Sequence, residues 1–183
     1  ASIGFAAYCS MLEEAVEQLR AVRENRPVPK KLPNTTIEFR QDAYLDSGYI
    51  ANQEQKMEIY RRLAAIEDEK TLTDLIDEVI DRFGTPSQPA EKLFRISEIR
   101  VKARHLGIGS IIDEGDSLLV TWADESFMHG WDPMKLPKTW LLYLKFLPGS
   151  PAKLRIHKAL IKGTMTDWMA DFMDELKRET GKQ

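Results

Sequence analysis

The clearest pattern of apolar and polar positions lies between residues 71 and 86. Apolar side chains recur there at the spacing of one helix face: Leu72, Leu75, Ile76, Val79, Ile80 and Phe83. The opposite face carries charged side chains: Asp74, Asp77, Glu78, Asp81 and Arg82. Gly84 suits the cap that ends a helix, and Pro86 keeps the helix from resuming. The pattern predicts an amphipathic helix, capped by Thr71 or Thr73, with an acidic outer stripe and a sharp end.

Four further segments have the periodicity of a helix with one apolar face. They run from Phe5 to Val22, from Asn52 to Ile66, from Ser87 to Gly107, and from a cap at Thr164 or Thr166 to about Leu176. The third of these predicts an inward face made of Leu93, Ile96, Ile99, Ala103 and Leu106. Together with the helix at residues 71–84, these helices account for most of the first half of the chain and for its last part.

Strand patterns are concentrated in the second half of the chain. Residues 108–112 and 118–122 flank a polar turn at 113–116, which is typical of a hairpin. Residues 143–146 and 154–157 predict two more strands, and residues 36–40 predict a short edge strand. Helices first and strands later favour an α+β fold: a helical N-terminal half packed with a small, mostly antiparallel sheet and a C-terminal helix.

Prolines at positions 27, 29 and 33 predict an extended linker at residues 27–35. The linker separates a helix at residues 1–26 from a domain at residues 36–183. The chain starts Ala1-Ser2-Ile3 without a methionine and enters a helical pattern almost at once. We therefore interpret it as a piece of a longer protein, in which the first helix belongs to whatever precedes it.

Composition narrows the possible functions. The formal net charge of −3 over 183 residues argues against a protein whose main task is to grip a nucleic-acid backbone. A single cysteine, Cys9, excludes an internal disulfide and fits a reducing compartment. The longest apolar run, Trp140 to Leu144, is far too short to span a bilayer, so no membrane partner is expected.

Motifs for catalysis or cofactor binding are not found in the sequence. There is no phosphate-binding loop of the Gly-x-x-x-x-Gly-Lys-Ser/Thr type. His105, His129 and His157 are scattered, without partners at metal-ligand spacing. The acidic turn at 113–116 lacks the length of a calcium loop and is better interpreted as a polar hairpin turn. We expect no catalytic residues, no metal and no cofactor in this chain.

Two charged surfaces remain as candidates for binding. One is the acidic stripe of residues 74–82. The other is the basic side of the following helix, which could contact phosphate: Lys92, Arg95, Arg100, Lys102 and Arg104. For both surfaces an ordinary solvated helix face is the alternative, since most such stripes bind nothing specific.

A series of short motifs, in order along the chain, resembles one family. They are Gly4-Phe5 with Tyr8, Met11-Leu12 and Ala15-Val16, then Tyr49-Ile50, Tyr60-Arg61-Arg62-Leu63-Ala64, Ile80-Asp81-Arg82-Phe83-Gly84 with Pro86 and Pro89, and Leu106-Gly107-Ile108. Together they resemble the C-terminal end of the bacterial transcription-repair coupling factors (Mfd). The first helix is similar to the end of the family's motor region, and the remainder is similar to its C-terminal regulatory domain.

The resemblance implies a part of a cytoplasmic bacterial DNA translocase. The family displaces stalled RNA polymerase and recruits the repair protein UvrA; its motor, which uses ATP and magnesium, lies upstream of the region resembled here. The C-terminal domain is expected to dock on the N-terminal UvrB-like module, to mask the surface that UvrA uses, and to restrain the motor. The chain itself is then not an enzyme.

The acidic stripe and this implied role coincide at the end of one helix. Glu78, Asp81 and Arg82 have i, i+3 and i+4 spacing, so their side chains can face one partner. The resemblance implies that this part of the motif lies at the docking interface. We expect Glu78 and Asp81 to accept hydrogen bonds from arginines of the UvrB-like module, and Arg82 to pair with a carboxylate or support the helix end.

A second interpretation is an accessory DNA-binding domain. It would use the basic side of the helix at 87–107, with contacts from Arg95, Arg100, Lys102 and Arg104. A free-standing enzyme is a third interpretation, but it requires a convergent polar pocket that the sequence does not indicate.

Overall fold

The computed structural model describes residues 32–128 and 131–180, together with positions 16, 19, 20, 23 and 24. The chain divides into two compact units, and the architecture below is that of the second, Pro33–Gln183. Most of the first predicted helix and of the predicted linker lies outside the described residues. The boundaries 1–26 and 27–35 therefore stay predictions.

Three helices follow one another in the first half of this unit. They are α1 (Gln53–Ala65), α2 (Glu69–Phe83) and α3 (Gln88–His105). Asp68 caps α2, because its Oδ1 accepts the backbone N–H of Thr71 at 2.8 Å. The predicted caps at Thr71 and Thr73 are therefore wrong. Asp68 accepts a free backbone N–H about one turn before the predicted caps. The Thr73 hydroxyl donates to the Glu69 carbonyl inside the helix.

The second half forms a five-stranded sheet, as its alternating patterns predicted. Its strands are β1 (Thr36–Glu38), β2 (Ile108–Asp113), β3 (Ser117–Trp122), β4 (Leu144–Leu147) and β5 (Lys153–His157). Their order is β1-β2-β3-β5-β4, with β1 parallel to β2 and every other pair antiparallel. A four-residue helix, α4 (Lys138–Leu141), precedes β4, and α5 (Met165–Thr180) ends the described chain. The α+β fold is confirmed.

The α3 helix is buried on both of its sides. Ile99, Ala103 and Leu106 belong to a core with the sheet and α5, in which Leu118, Val120, Leu154 and Ile156 are also fully buried. Ala90, Phe94 and Val101 belong to a second core with α1 and α2. Of the predicted inward face, Leu93 is half-buried against the helical core instead. The pattern missed Ala90, Phe94 and Val101, because residues on two opposite apolar sides blur the helical period.

Substitutions in the helical core test whether the two cores form one cooperative unit. Val101 is fully buried there, so Val101→Ala should lower the free energy of unfolding by about 2 kcal/mol. All four tryptophans (positions 122, 131, 140 and 168) belong to the sheet core or pack against it. Because α3 joins both cores, denaturation followed by tryptophan fluorescence should still report the full loss.

The matched control is Met57→Ala on α1, where the side chain is 54% exposed and the change should stay within about 0.5 kcal/mol. A fluorescence midpoint that is the same in Val101→Ala and in the wild type would mean that the helical core unfolds separately.

Candidate docking surface

The C-terminal end of α2 is held in place by the turn that precedes α1. Gly84 ends the helix with φ of 82°, a backbone conformation that favours glycine, and its N–H donates to the Ile80 carbonyl at 2.8 Å. The Tyr49 hydroxyl donates to the Gly84 carbonyl at 3.1 Å, and its ring meets Phe83 edge-on. The helix end predicted at Gly84 is confirmed, and it is tied to a segment 35 residues earlier in the chain.

Asp46 organises that turn and links it to α3. Its Oδ1 accepts the backbone N–H groups of Gly48 and Tyr49 at 2.9 and 3.0 Å, and its Oδ2 accepts the Ser87 hydroxyl. The Ser87 hydrogen bond, with the two backbone hydrogen bonds, lowers the pKa of Asp46 below its usual value. A single carboxylate therefore joins the turn beside the end of α2 to the start of α3.

Glu78 lies at the centre of a cluster of charges that connects α1 and α2. Arg62 of α1 donates from Nη1 to Oε1 at 2.8 Å and from Nη2 to Oε2 at 2.5 Å. Arg82 donates from Nη1 to the same Oε1 at 2.9 Å. These hydrogen bonds, from Arg62 first and Arg82 second, lower the pKa of Glu78 from 4.5 to about 2. The carboxylate is thus held ionised between two guanidinium groups.

The remaining acids of the stripe are in a different situation. Asp74, Asp77 and Asp81 are exposed, and none of their carboxylates has a hydrogen bond or ion pair with another described residue. The Arg82 guanidinium lies over the Phe83 ring, 5.0 Å from its centroid. Among Glu78, Asp81 and Arg82, only Asp81 therefore keeps its full capacity to accept hydrogen bonds from a partner.

Ile80 departs from the prediction that it faces inward. Its side chain is 36% exposed at one wall of an open groove of about 450 Å³ between α2, α3 and the start of α5. Ile76, Pro86 and Phe94 also line this groove. The period of α2 turns Ile80 towards α3, but the two helices leave the groove between them there. An apolar side chain is thus exposed beside Asp81.

The basic side of α3 does not form the continuous exposed face that the sequence suggested. Lys102 is only 6% exposed and pairs with Glu98 and Asp174, each at 2.7 Å. Arg95 pairs with Glu98 and Asp167. Arg104 pairs with Glu67, and Arg100 donates to the carbonyls of Leu63 and Ile66. Lys92, the fifth of these cations, is half-buried and lines the groove between α2 and α3.

These partners follow from burial, because a cation in the central helix is stable only when it is paired. The expectation of one shared basic face is wrong for Lys102 and Arg100. DNA contact by Arg95, Arg100, Lys102 and Arg104 stays a prediction, and each of these cations already has an internal partner.

The other candidate groups have structural roles where the structure describes them. His105 shares a hydrogen bond with the Glu67 carbonyl at 2.9 Å. Asp113, in the acidic hairpin turn, forms an ion pair with Lys158 at 2.8 Å and accepts the N–H of Gly115. Within residues 32–128 and 131–180, no three His, Cys, Asp or Glu side chains are grouped as a metal site requires. Cys9 and His129 lie outside the described residues.

No helix of the described ranges has the length and apolar character needed to cross a bilayer.

Two contributors to this surface were missed from the sequence. Arg62 reaches Glu78 from another helix, and Tyr49 supports Gly84 across 35 residues. Neither contact leaves a periodic signal, because each joins residues far apart in the chain. Both residues do lie within motifs that carry the family resemblance. Membership of such a motif was the one signal in the sequence that could have pointed to them.

Comparisons with known proteins agree with the observed fold and identify relatives of the chain. The model of the TRCF domain family matches residues 39–130, which include Asp46, Arg62 and the whole of α2. The transcription-repair-coupling factor of Staphylococcus haemolyticus is 40% identical over 120 residues, which cover 66% of this chain and 10% of that protein. That of Staphylococcus epidermidis is 41% identical over 119 residues, which cover 65% of this chain and 10% of that protein. The chain thus spans about a tenth of the length of these relatives.

A solved structure shares the architecture. The crystal structure of the C-terminal domain of transcription-repair coupling factor matches with a TM-score of 0.71 at 17% identity. The match covers 83% of this chain and 97% of that one. At this identity the likeness concerns the fold.

The charge cluster at Glu78 should be visible in the acid dependence of stability. Because its pKa in the folded chain is below the unfolded value, ionised Glu78 stabilises the fold fully above about pH 4.5, and this contribution is lost as the pH falls towards about 2. Glu78→Gln should therefore flatten the decline in the free energy of unfolding between about pH 5 and pH 2, measured by urea denaturation.

Glu91→Gln is the control, since Glu91 is an exposed carboxylate with no hydrogen bond or ion pair to another described residue. Equal acid slopes for the wild type and Glu78→Gln would show that the cluster does not hold the carboxylate ionised in solution.

Proposed function

The chain belongs to the TRCF domain family, and from that premise we propose that it is a non-catalytic regulatory domain of a transcription-repair coupling factor. It docks on the N-terminal UvrB-like module of the same protein through the end of α2. Docking masks the surface that UvrA binds and restrains the motor until the contact opens. The translocase activity, its ATP and magnesium, RNA polymerase as a partner and the bacterial cytoplasm belong to this proposal for the whole protein.

The observation that carries the proposal is the exposed carboxylate of Asp81 on a fixed helix end. Asp81 has no partner among the described residues, whereas the backbone beside it is held by Gly84, Tyr49 and Phe83. A charge that is already positioned loses little conformational entropy on binding, so it suits recognition of an arginine or lysine. Ile80 adds an apolar contact next to it, as the centres of protein interfaces usually have.

Such a contact has the strength that a switch requires. A charge-assisted hydrogen bond contributes about 1.5–3 kcal/mol. Tethering within one protein raises the effective concentration to about the millimolar range, so a few such bonds keep the contact closed. A competing partner with a preference for the open state can still shift the equilibrium.

Charge reversal tests docking more cleanly at Asp81 than at Glu78. Glu78→Lys would bring a third cation next to Arg62 and Arg82 and would disrupt the connection between α1 and α2. Its effect on docking could not be separated from its effect on the fold. Asp81→Lys reverses a carboxylate that has no partner among the described residues, so it changes the surface alone.

In the full-length protein, Asp81→Lys should open the docked state. The expected results are a higher affinity for UvrA and a higher ATPase rate without polymerase, each by about tenfold, the effect of losing one charge-assisted contact. UvrA binding by titration and steady-state ATPase assays measure both.

Asp171→Lys is the matched control, because Asp171 is also exposed on a helix and has no partner among the described residues. The proposal would be contradicted if Asp81→Lys had the same low UvrA affinity and the same low ATPase rate as Asp171→Lys.

A further inference from the structure

Arg62 lies at the docking surface although it belongs to a different helix. Its guanidinium contacts both oxygens of Glu78, whereas Arg82 contacts only one. Glu78 is therefore oriented mainly by Arg62, and Arg82 is in turn oriented by Glu78. The direction of the Arg82 side chain, one residue from Asp81, depends on a residue of α1.

The helix that carries Arg62 is itself firmly held. Ile59 and Leu63 of α1 are 1% and 4% exposed in the helical core. Arg100 of α3 donates from Nη2 to the carbonyls of Leu63 and Ile66 at 2.6 and 3.1 Å, which satisfies the C-terminal end of α1. A continuous series of contacts therefore runs from the buried α3 through α1 and Arg62 to Glu78 and Arg82.

Without Arg62, the cluster would lose its two-point hydrogen bond. Glu78 would keep only the single hydrogen bond from Arg82, which is on the same helix and close to its end. Both side chains are over one third exposed, so each would regain rotamers in water. Docking would then have to order Glu78 and Arg82 again, which weakens binding.

We propose that Arg62 is a positioning residue of the docking surface, which orders Glu78 and Arg82 for the partner without contacting it. This inference rests on the proposed function and adds a residue to it. The role is also distinct from a simple charge effect. A partner that meets Asp81 is basic, so removing the positive charge of Arg62 would by itself strengthen docking. Loss of positioning weakens it, and the two explanations predict opposite signs.

The test measures UvrA binding and ATPase of the full-length protein with Arg62→Gln. The expected result is a rise in both, several-fold and up to about tenfold, in the direction of Asp81→Lys. Arg62→Lys keeps the positive charge but cannot form the two-point hydrogen bond with both oxygens of Glu78. Its UvrA affinity and ATPase rate should therefore lie between those of the wild type and Arg62→Gln. Glu78→Gln should raise both values less in the Arg62→Gln background than in the wild type, because the two substitutions share the loss of the Arg62–Glu78 hydrogen bonds and only the hydrogen bond from Arg82 remains to be lost.

Arg61→Gln is the control for charge. Arg61 is the adjacent residue of α1, is exposed, and donates only to the Met57 carbonyl of its own helix. Arg61→Gln removes a positive charge without removing a contact to Glu78, so it should raise neither value.

Thermal unfolding of each variant separates a role in folding from a role in docking. A lower midpoint in Arg62→Gln with UvrA binding and ATPase unchanged, or values below those of the wild type, would overturn the positioning role while leaving the docking function in place. If Asp81→Lys also leaves both values unchanged, the docking function fails, and the inference fails with it.

Discussion

Burial of α3 between two hydrophobic cores is the constraint on which the rest of the structure depends. Ile99 faces the sheet core and Val101 faces the helical core, and both are fully buried. The charged residues that share this helix must then be satisfied inside the fold, because an unpaired buried cation is costly. Lys102 and Arg104 accordingly pair with acids from other elements, and Arg100 ends α1. The helix is a structural centre, and its cations are used by the fold.

The same constraint explains why recognition is proposed at α2. Its inner face fills the helical core through Leu72, Leu75 and Val79, while its outer face carries more acids than the fold pairs internally. Glu78 is paired with cations on two helices, and Asp81 is left without a partner among the described residues. The ordered ion pairs of Glu78 therefore lie on the same helix end as an unpaired carboxylate, so one group can order the surface while another is free to bind. In the proposed docking, the paired group fixes the geometry and the unpaired group supplies the affinity for the partner.

The sequence predicted local structure well and long-range contacts poorly. The period of residues 72–83 and the glycine after them predicted the body of α2 and its end, because both signals are contained within four turns of helix, whereas the start at Asp68 was missed. The hairpin of β2 and β3 was likewise predicted from alternation on both sides of a polar turn. The parallel pairing of Thr36 with Ser110 and the ion pair of Arg62 with Glu78 were not predicted, since each joins residues brought together only by the packed cores. The exposure of Ile80 has the same origin: periodicity gives the direction of a side chain and not the gap between the helices it faces.

The most direct test of the account is an NMR titration of this chain, labelled with 15N, with the isolated N-terminal UvrB-like module. A contact that stays closed at an effective concentration of about 1 mM needs a dissociation constant below that value, so a titration to ~1 mM must detect it. Docking through the end of α2 should produce saturable shifts of the backbone amides of residues 77–84 that weaken as salt is added. Unchanged spectra at ~1 mM, or shifts centred on α3 and the sheet, would contradict docking through the end of α2.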